Sequence, residues 1–148
     1  MPIVDAMGPR LVTVTPDETV RVAIARMLEE NVGSVVVSND DGLAGIFTER
    51  DLLRLAGAGG DFLDLRVGEV MTPRPVTVPP DTGVLEAARV MSERQIRHLP
   101  ILEGDHVLGV VGIREVLRAL VERLWRDHDA EVRETARELL DRQPTPTA

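Results

Sequence analysis

Most of the sequence is one segment present twice, because residues 4–54 align with residues 68–118 without a gap. This shift of 64 residues (68 − 4) makes about a third of the paired residues identical. The strongest match pairs V-T-V-T-P-D, starting at Val12, with V-T-V-P-P-D, starting at Val76. A duplication of this kind predicts a pseudo-two-fold molecule whose copies share a core and form clefts between them.

Each copy has the pattern of a strand, a helix, two strands and a second helix. In the first copy, the β-branched run Leu11–Val14 predicts a short strand. Apolar residues at 3-4 spacing then predict a helix with one buried face, formed by Val20, Ala23, Ile24, Met27 and Leu28. The helix N-cap is predicted at Asp17, since Asp81 matches it in the second copy. A capping box of Thr15 and Glu18 is the alternative.

The remainder of each copy predicts a hairpin followed by a second helix. In the first copy, Gly33 is expected to end the first helix. The β-prone runs Ser34–Ser38 and Leu43–Phe47 then flank a tight turn at residues 39–42. Thr48 is expected to open the second helix. This order predicts an α/β (α+β) fold made of two β-α-β-β-α repeats related by a pseudo-two-fold axis.

The composition of the chain divides it into five parts. Repeat 1 is predicted over residues 4–56 and repeat 2 over residues 68–120. The glycine-rich stretch between them, residues 57–67, is the predicted linker. A helical extension is expected over residues 121–142, and the Pro/Thr-rich residues 143–148 are expected to be a disordered tail.

The helical extension continues an apolar stripe that begins in the last helix of repeat 2. A polar break near residues 126–129 leaves open whether one long helix or two shorter ones form. The predicted stripe consists of Ile113, Val116, Leu117, Leu120, Val121, Leu124, Val132, Ala136, Leu139 and Leu140.

Charge and composition exclude several classes of protein. The net charge of −8 and the 2% aromatic content argue against nucleic-acid binding, because a nucleic-acid-binding surface needs basic residues and aromatic stacking platforms. The absence of cysteine excludes disulfides, thiolate metal sites and cysteine nucleophiles. No apolar run is long enough for a membrane span, and the N-terminus has no signal-peptide pattern. We therefore expect a cytoplasmic protein with no membrane contact.

A first candidate site combines the end of a strand with the start of the second helix of repeat 1. Thr48 and Asp51 have the spacing of a capping box, which is a purely structural role. The same geometry offers a helix N-terminus to an anion, a hydroxyl group to a phosphate or sugar, and a carboxylate to both hydroxyls of a ribose. The residues considered are Gly45, Ile46, Phe47, Thr48, Arg50 and Asp51.

A second candidate site is the sequence Arg97-His98-Leu99-Pro100 of repeat 2. Repeat 1 has Gly33-Ser34 where repeat 2 has the basic pair Arg97-His98. A basic pair directly before a buried strand is a poor choice for a core. It is either a solvated charge beside a surface histidine or a set of donors for a phosphate.

The repeat pattern resembles a known family, the tandem cystathionine-β-synthase (CBS) domain pair, also called a Bateman module. The V-T-V-x-P-D starts and the sequence Val70-Met71-Thr72-Pro73 before the second copy carry the resemblance, which covers about residues 4–118. The family implies a regulatory function without catalysis. Its members bind adenine nucleotides, or related ligands such as S-adenosylmethionine or NAD, in clefts between the repeats.

The resemblance also implies roles for individual residues. The family motif Gly-hydrophobic-x-Thr/Ser-x-x-Asp falls on Gly45, Ile46, Thr48 and Asp51, so that Asp51 would hold the ribose and Thr48 would contact ribose or phosphate. The opposite repeat would complete this cleft. Its first strand, Val76-Thr77-Val78, would line the adenine, and its basic pair, Arg97 and His98, would face the phosphates. The expected ligand is therefore AMP, ADP or ATP.

The second cleft departs from the family motif. Gly112 replaces the hydroxyl residue, Glu115 replaces the aspartate, and the opposite repeat offers Gly33 and Ser34 instead of a basic pair. A charge-assisted hydrogen bond contributes about 1.5–3 kcal/mol, so these losses together weaken binding by a few orders of magnitude. We expect one competent cleft per chain, built on Asp51.

An enzyme is not expected from the sequence. Its three histidines, His98, His106 and His128, have no metal-binding spacing, and no catalytic serine motif is present. The expected partners are a nucleotide, a second copy of the chain in a homodimer, and an unidentified protein that the module regulates. The alternative is a structural or oligomerisation module with unused clefts that acts through its C-terminal helix.

Overall fold

We describe a computed structural model of the chain, which covers residues 1–127 and 130–141. The mixed α/β fold predicted from the sequence is confirmed. A 3-10 turn at Ile3–Ala6 precedes the strands and helices. In chain order these are β1 (Thr13–Val14), α1 (Val20–Glu30), β2 (Ser34–Asn39), β3 (Gly42–Thr48), α2 (Glu49–Ala58), α3 (Val67–Val70), β4 (Thr72–Pro73), α4 (Val84–Arg94), β5 (His98–Glu103), β6 (His106–Gly112), α5 (Ile113–Asp127) and α6 (Ala130–Asp141).

The strands form one sheet in each half of the molecule. In repeat 1 the order is β1-β2-β3-β4, with β1 parallel to β2 and the other pairs antiparallel. In repeat 2, β5 and β6 form an antiparallel hairpin. Both hairpins change register at the same place, between Val37 and Ser38 and between Ile101 and Leu102. This agreement shows that the duplication in sequence is also a duplication in structure.

The two repeats exchange their N-terminal segments. We call residues 1–8 the first lead-in and residues 65–72 the second lead-in. Ile3 of the first lead-in is fully buried in the core of repeat 2, and its N–H donates to Thr82 O at 2.6 Å. Val67 of the second lead-in is fully buried in the core of repeat 1, and its N–H donates to Glu18 O at 2.8 Å. Each core is therefore completed by the segment that precedes the other copy.

The predicted helix ends are wrong by a few residues. Helix α1 begins at Val20, and the Thr19 hydroxyl, not Asp17, accepts the N–H of Val22 at 3.3 Å. The alternative capping box of Thr15 and Glu18 forms only in part. The Glu18 carboxylate accepts the Thr15 N–H at 3.0 Å, and this bond lies before the first residue of the helix. The helix ends at a left-handed Asn31 with φ of 54°, two residues before Gly33. An asparagine side chain makes this conformation accessible without glycine.

The matching helix of repeat 2 shows the same two corrections. Helix α4 begins after Gly83, which offers no side-chain cap, so Asp81 is not its N-cap either. It ends at Gln95, whose φ of 54° equals that of Asn31. The helix boundaries thus follow the duplication even where the capping side chain is missing.

The predicted strand Val76–Val78 is reduced to a single bridge between Val78 and Ile101. In repeat 1 the Val36 N–H donates to Val12 O at 2.9 Å, and this bond helps to hold β1 against β2. Pro100 takes the position of Val36 in repeat 2 and has no N–H to donate. Two hydrogen bonds of Val78 hold this segment against β5. The Val78 N–H donates to Pro100 O at 3.2 Å, and the Val78 carbonyl accepts the Leu102 N–H at 3.0 Å.

Parts of the predicted apolar faces are exposed. Leu28, assigned to the buried face of α1, is 77% exposed. In the C-terminal stripe, Val116 is buried, whereas Leu117, Leu124 and Leu139 are more than half exposed. These leucines of α1, α5 and α6 point away from the two cores, so the helical spacing alone overstated the buried face.

The C-terminal extension contains two helices, which lie on either side of residues 128–129. The Arg137 guanidinium lies 4.8 Å from the centroid of the Trp125 ring, a cation–π contact that joins α5 to α6. His128 and the predicted tail at residues 143–148 lie outside the described residues, and so does Arg142 at the predicted helix end.

Candidate functional site

The start of α2 forms the capping box predicted from the sequence. Asp51 N donates to Thr48 Oγ1 at 3.4 Å, and Thr48 N donates to Asp51 Oδ2 at 2.9 Å. Asp51 is only 7% exposed, and it is one of two buried polar residues in the described part of the chain. The helix N-terminus supplies N–H donors and a partial positive charge, which together stabilise a buried carboxylate.

Asp51 also bonds to the second lead-in. The Thr72 hydroxyl donates to Asp51 Oδ1 at 3.0 Å, and β4 pairs with β3 through Ile46 and Thr72. An ionised carboxylate has about four acceptor positions, and these hydrogen bonds leave part of the capacity of Oδ1 unused. The Asp51 side chain is therefore held in place from two sides and can still accept a further hydroxyl group.

Asp51 lines an open cavity of about 420 Å³. Sequence reasoning missed most of the other lining residues, which are Arg54, Leu55, Val70, Met71, Thr72 and Pro73. The sequence offered one signal for them, because Met71 and Pro73 repeat Met7 and Pro9 at the 64-residue shift. The cavity combines an apolar wall, an acceptor and a cation, a combination suited to a small amphipathic ligand.

The glycine of the predicted motif lets the second lead-in approach β3 closely. A Cβ atom at Gly45 would lie 2.6 Å from Met71 Sδ and 2.7 Å from Thr72 O. Gly109 has the same relation to Met7 in repeat 2, where a Cβ atom would lie 2.5 Å from Met7 Sδ. Each glycine therefore admits the lead-in that forms one wall of a cleft.

The other motif residues of β3 are buried in the fold. Ile46 is 5% exposed, and Phe47 is fully buried in the core of repeat 1.

Arg50 is exposed and donates from Nη1 to Gln95 O of repeat 2 at 2.9 Å. Arg50 thus fastens the start of α2 to the opposite repeat, close to the predicted basic pair.

His98 of the basic pair lies beside the start of α2. Arg97 is exposed, whereas His98 is half-buried, so His98 is not an ordinary surface histidine. His98 Nε2 lies 3.2 Å from the position a Cβ atom would take on Gly33, and the Glu49 carboxylate lies against the same face of Gly33. Burial lowers the pKa of His98, with nearby Glu49 opposing the shift and Arg97 adding to it.

The remaining predicted site residues belong to the core of repeat 2. Val78, Leu99 and Pro100 are buried there, and Val76 packs against the same core. Thr77 is half-buried beside them. The hydrogen bonds of Val78 to Pro100 and Leu102 tie this segment to β5.

Glu115 holds the first lead-in as Asp51 holds the second. Its Oε1 accepts the Gly112 N–H at 2.9 Å, and its Oε2 accepts the Gly8 N–H at 2.7 Å. Gly8 corresponds to Thr72 under the 64-residue shift. Both oxygens of Glu115 therefore bond to backbone N–H groups, and the longer side chain does in repeat 2 what Asp51 and a hydroxyl group do in repeat 1.

Neither a metal-binding cluster nor a membrane-spanning helix is present in the described part of the chain. Among residues 1–127 and 130–141, no group of three His, Cys, Asp or Glu side chains is placed to hold a metal ion. Within the same part of the chain, no helix has the length and apolar character needed to cross a bilayer.

The fold is a tandem-repeat module in which each repeat packs against the lead-in of the other. The chain matches the CBS domain family twice, over residues 3–57 and 67–122, and it belongs to that family. Stand-alone proteins of this family are generally regulatory rather than catalytic.

Individual relatives agree with this assignment. The chain is 40% identical over 113 residues to the CBS domain-containing protein CBSX3, mitochondrial, of Arabidopsis thaliana, covering 72% of this chain. It spans 55% of that relative, about half of its length. It also matches a solved putative signal-transduction protein with CBS domains from Burkholderia ambifaria, with 27% identity, a TM-score of 0.77, and coverage of 99% of this chain and 100% of that one.

A third similar protein was solved with a ligand. The crystal structure of CBSX2 in complex with AMP matches with 28% identity and a TM-score of 0.73, covering 82% of this chain and 97% of that one. A protein of the same fold therefore binds an adenine nucleotide.

Proposed function

We propose that this chain is a regulatory module that binds an adenine nucleotide in the Asp51 cleft and signals to a separate protein. The observation that carries the proposal is the buried Asp51 carboxylate, which lines the 420 Å³ cavity and retains acceptor capacity. A ribose presents two adjacent hydroxyl groups, which such a carboxylate can accept. The AMP complex of a similar CBS protein supports adenine nucleotide as the ligand class.

The proposed arrangement extends from Asp51 in two directions. Thr48 and Asp51 contact the ribose, and the strand-end residues Gly45, Ile46 and Phe47 support them. Arg50, Arg97 and His98 supply positive or hydrogen-bonding groups for the phosphates. The segment from Val76 to Val78, with Leu99 and Pro100, lines the adenine from repeat 2.

The test is a calorimetric titration of AMP, ADP and ATP against the wild type, Asp51→Ala and Asp51→Asn. The asparagine variant is the more informative of the two. Its Oδ1 can accept the Thr48 N–H while its NH₂ donates to the Thr72 hydroxyl, because a hydroxyl group both donates and accepts. Asp51→Asn therefore keeps the cap and the lead-in contact, and it removes the spare acceptor and the charge.

We expect Asp51→Asn to weaken nucleotide binding at least about tenfold, the loss of one charge-assisted hydrogen bond. Asp51→Ala should weaken binding further. The matched control is Glu115→Gln, which changes the corresponding carboxylate of the other cleft and should leave nucleotide affinity unchanged. Unchanged binding by both Asp51 variants would refute this site.

The signalling role, the absence of catalysis and the cytoplasmic location belong to the same proposal. A module whose clefts are held together by its lead-ins can transmit ligand binding to a partner that touches them. A homodimer is the expected assembly. The cytoplasmic location is testable by fractionation of the source cells, and the name of the plant relative places that protein in mitochondria instead.

A second function is favoured by the exposed apolar residues of the C-terminal helices. Leu124 and Leu139 are 53% and 65% exposed, one on α5 and one on α6. In this alternative the chain is an oligomerisation module with unused clefts. Deleting the residues after Val121 and measuring the mass in solution distinguishes the oligomerisation module from the nucleotide-binding module. The alternative is supported if the deletion abolishes the oligomer and the full chain binds no nucleotide.

A further inference from the structure

The Asp51 cavity has a basic side chain in its own wall. Among the described residues that line this cavity of about 420 Å³, Arg54 is the only basic one. The groups that the proposed function assigns to the phosphates, Arg50, Arg97 and His98, are not part of this lining. The guanidinium of Arg54 is therefore the cation that the cavity itself offers to a ligand.

Arg54 lies close to Asp51 on α2. The two residues are three apart in this helix, a spacing that places their Cβ atoms about 5–6 Å apart. The same spacing suits a structural ion pair, which is the alternative role for Arg54. No such pair forms, since the Arg54 guanidinium makes no ion pair and no hydrogen bond with any residue that the structure describes.

The Asp51 carboxylate is held by uncharged groups instead. It accepts the Thr48 N–H at 2.9 Å and the Thr72 hydroxyl at 3.0 Å. The cavity wall thus carries an anion and a cation that lie near each other without pairing. A ligand with both hydroxyl groups and an anionic group can bind the two together. The rest of the wall is largely apolar, with Leu55, Val70, Met71 and Pro73.

We propose that Arg54 is a phosphate-binding residue of the Asp51 cavity, and that the ligand lies along α2 with its ribose hydroxyls at Asp51 and its phosphate at Arg54. This inference rests on the proposed function and adds to it a cation on the same helix as Asp51. A guanidinium is always charged, and its planar set of N–H donors matches two oxygens of one phosphate. Arg54 therefore favours a nucleotide over the nucleoside that lacks the phosphate.

The experiment measures the dissociation constants of AMP and of adenosine by calorimetry at low salt for the wild type, Arg54→Gln and Arg118→Gln. Adenosine keeps the ribose and the base, so it reports on the site without its phosphate contacts. Arg118 is the matched control, because it aligns with Arg54 under the 64-residue shift and does not line the cavity. Both arginines are exposed, so neither replacement is expected to disturb the fold.

Arg54→Gln should weaken AMP binding at least about tenfold and adenosine binding less than about twofold, because only AMP loses a charge-assisted hydrogen bond. Arg118→Gln should change neither constant. Equal losses for AMP and adenosine, or an unchanged constant for AMP, would overturn the role of Arg54 and leave the proposed function to its own test with Asp51→Asn. A wild type that binds neither ligand would overturn both.

Discussion

Asp51 and Glu115 occupy the same position in the two repeats and perform the same structural task by different means. Each carboxylate bonds to the start of its own helix and to the lead-in that packs beside it. Asp51 reaches its lead-in through the Thr72 hydroxyl, whereas Glu115 reaches the backbone N–H of Gly8. Both carboxylates retain acceptor capacity, but Asp51 lines the open cavity of about 420 Å³, and Glu115 is not among the residues that line it.

A second difference between the repeats concerns the residues before their second strands. His98 of repeat 2 lies beside Gly33 and Glu49 at the start of α2, and the counterparts of Arg97 and His98 in repeat 1 are Gly33 and Ser34. Ser34 is buried, whereas Arg97 is exposed. The duplication supplies a symmetric frame, and under the proposed function a few side chains make one cleft suited to an anionic ribose-containing ligand.

The largest expected effect concerns the exchange of lead-ins that both carboxylates support. Ile3→Ala should lower the free energy of unfolding by about 2–5 kcal/mol, because it opens a cavity in the core of repeat 2. Urea unfolding followed by circular dichroism measures this change. The control is Leu28→Ala, which alters a side chain that is 77% exposed and should change stability by less than about 0.5 kcal/mol. A loss below about 1 kcal/mol for Ile3→Ala would contradict the exchange.

The next effect compares the two carboxylates directly. Glu115→Gln leaves one backbone N–H, of Gly8 or of Gly112, facing an NH₂ group, and it should cost about 1–3 kcal/mol of stability. Asp51→Asn should cost less than about 1 kcal/mol, because the Thr72 hydroxyl can reverse its hydrogen bond. Both values come from the same urea measurement. Equal losses in the two variants would mean that the carboxylates do not differ as described.

The smallest effect concerns His98, which has Ser34 as its counterpart in repeat 1. Burial lowers the pKa of His98 below its ordinary value of 6.5, with Glu49 opposing and Arg97 adding to the shift. The unfolded chain therefore binds the proton at a higher pH than the folded chain does. The stability that the fold gains by keeping His98 neutral is therefore complete above pH 6.5. It is lost as the pH falls from 6.5 through the lowered pKa of His98 in the folded chain.

Melting curves of the wild type and His98→Gln between pH 5 and 8 test this sign. The wild type should lose more stability than the variant as the pH falls. A variant that follows the wild type over the whole range would show that His98 is not buried in a neutral form.

The sequence was sufficient to predict the duplicated fold and the capping box at Thr48 and Asp51, because both depend on local spacing. It was insufficient for the exchange of lead-ins. Ile3 and Val67 are each next in sequence to one repeat and pack in the other, and no periodicity reports which core receives them. The walls of the cavity at Val70 and Met71 were missed for this reason.

Other errors had a signal in the sequence. Pro100 replaces Val36 and removes the N–H that would have completed a strand at Val76–Val78, so this loss was open to prediction. The N-cap at Thr19 was not, since Asp17 is at least as good a capping residue by type. Leu28 was assigned to a buried face because its spacing fits, although its side chain is 77% exposed.

The most direct test of the difference between the two clefts is the number of nucleotides bound per chain. A calorimetric titration of AMP into the wild type should give one site per chain, and the same titration into Asp51→Asn should show that this site is weakened at least about tenfold. Two equivalent sites per chain, or one site that survives Asp51→Asn and disappears in Glu115→Gln, would contradict a single cleft built on Asp51.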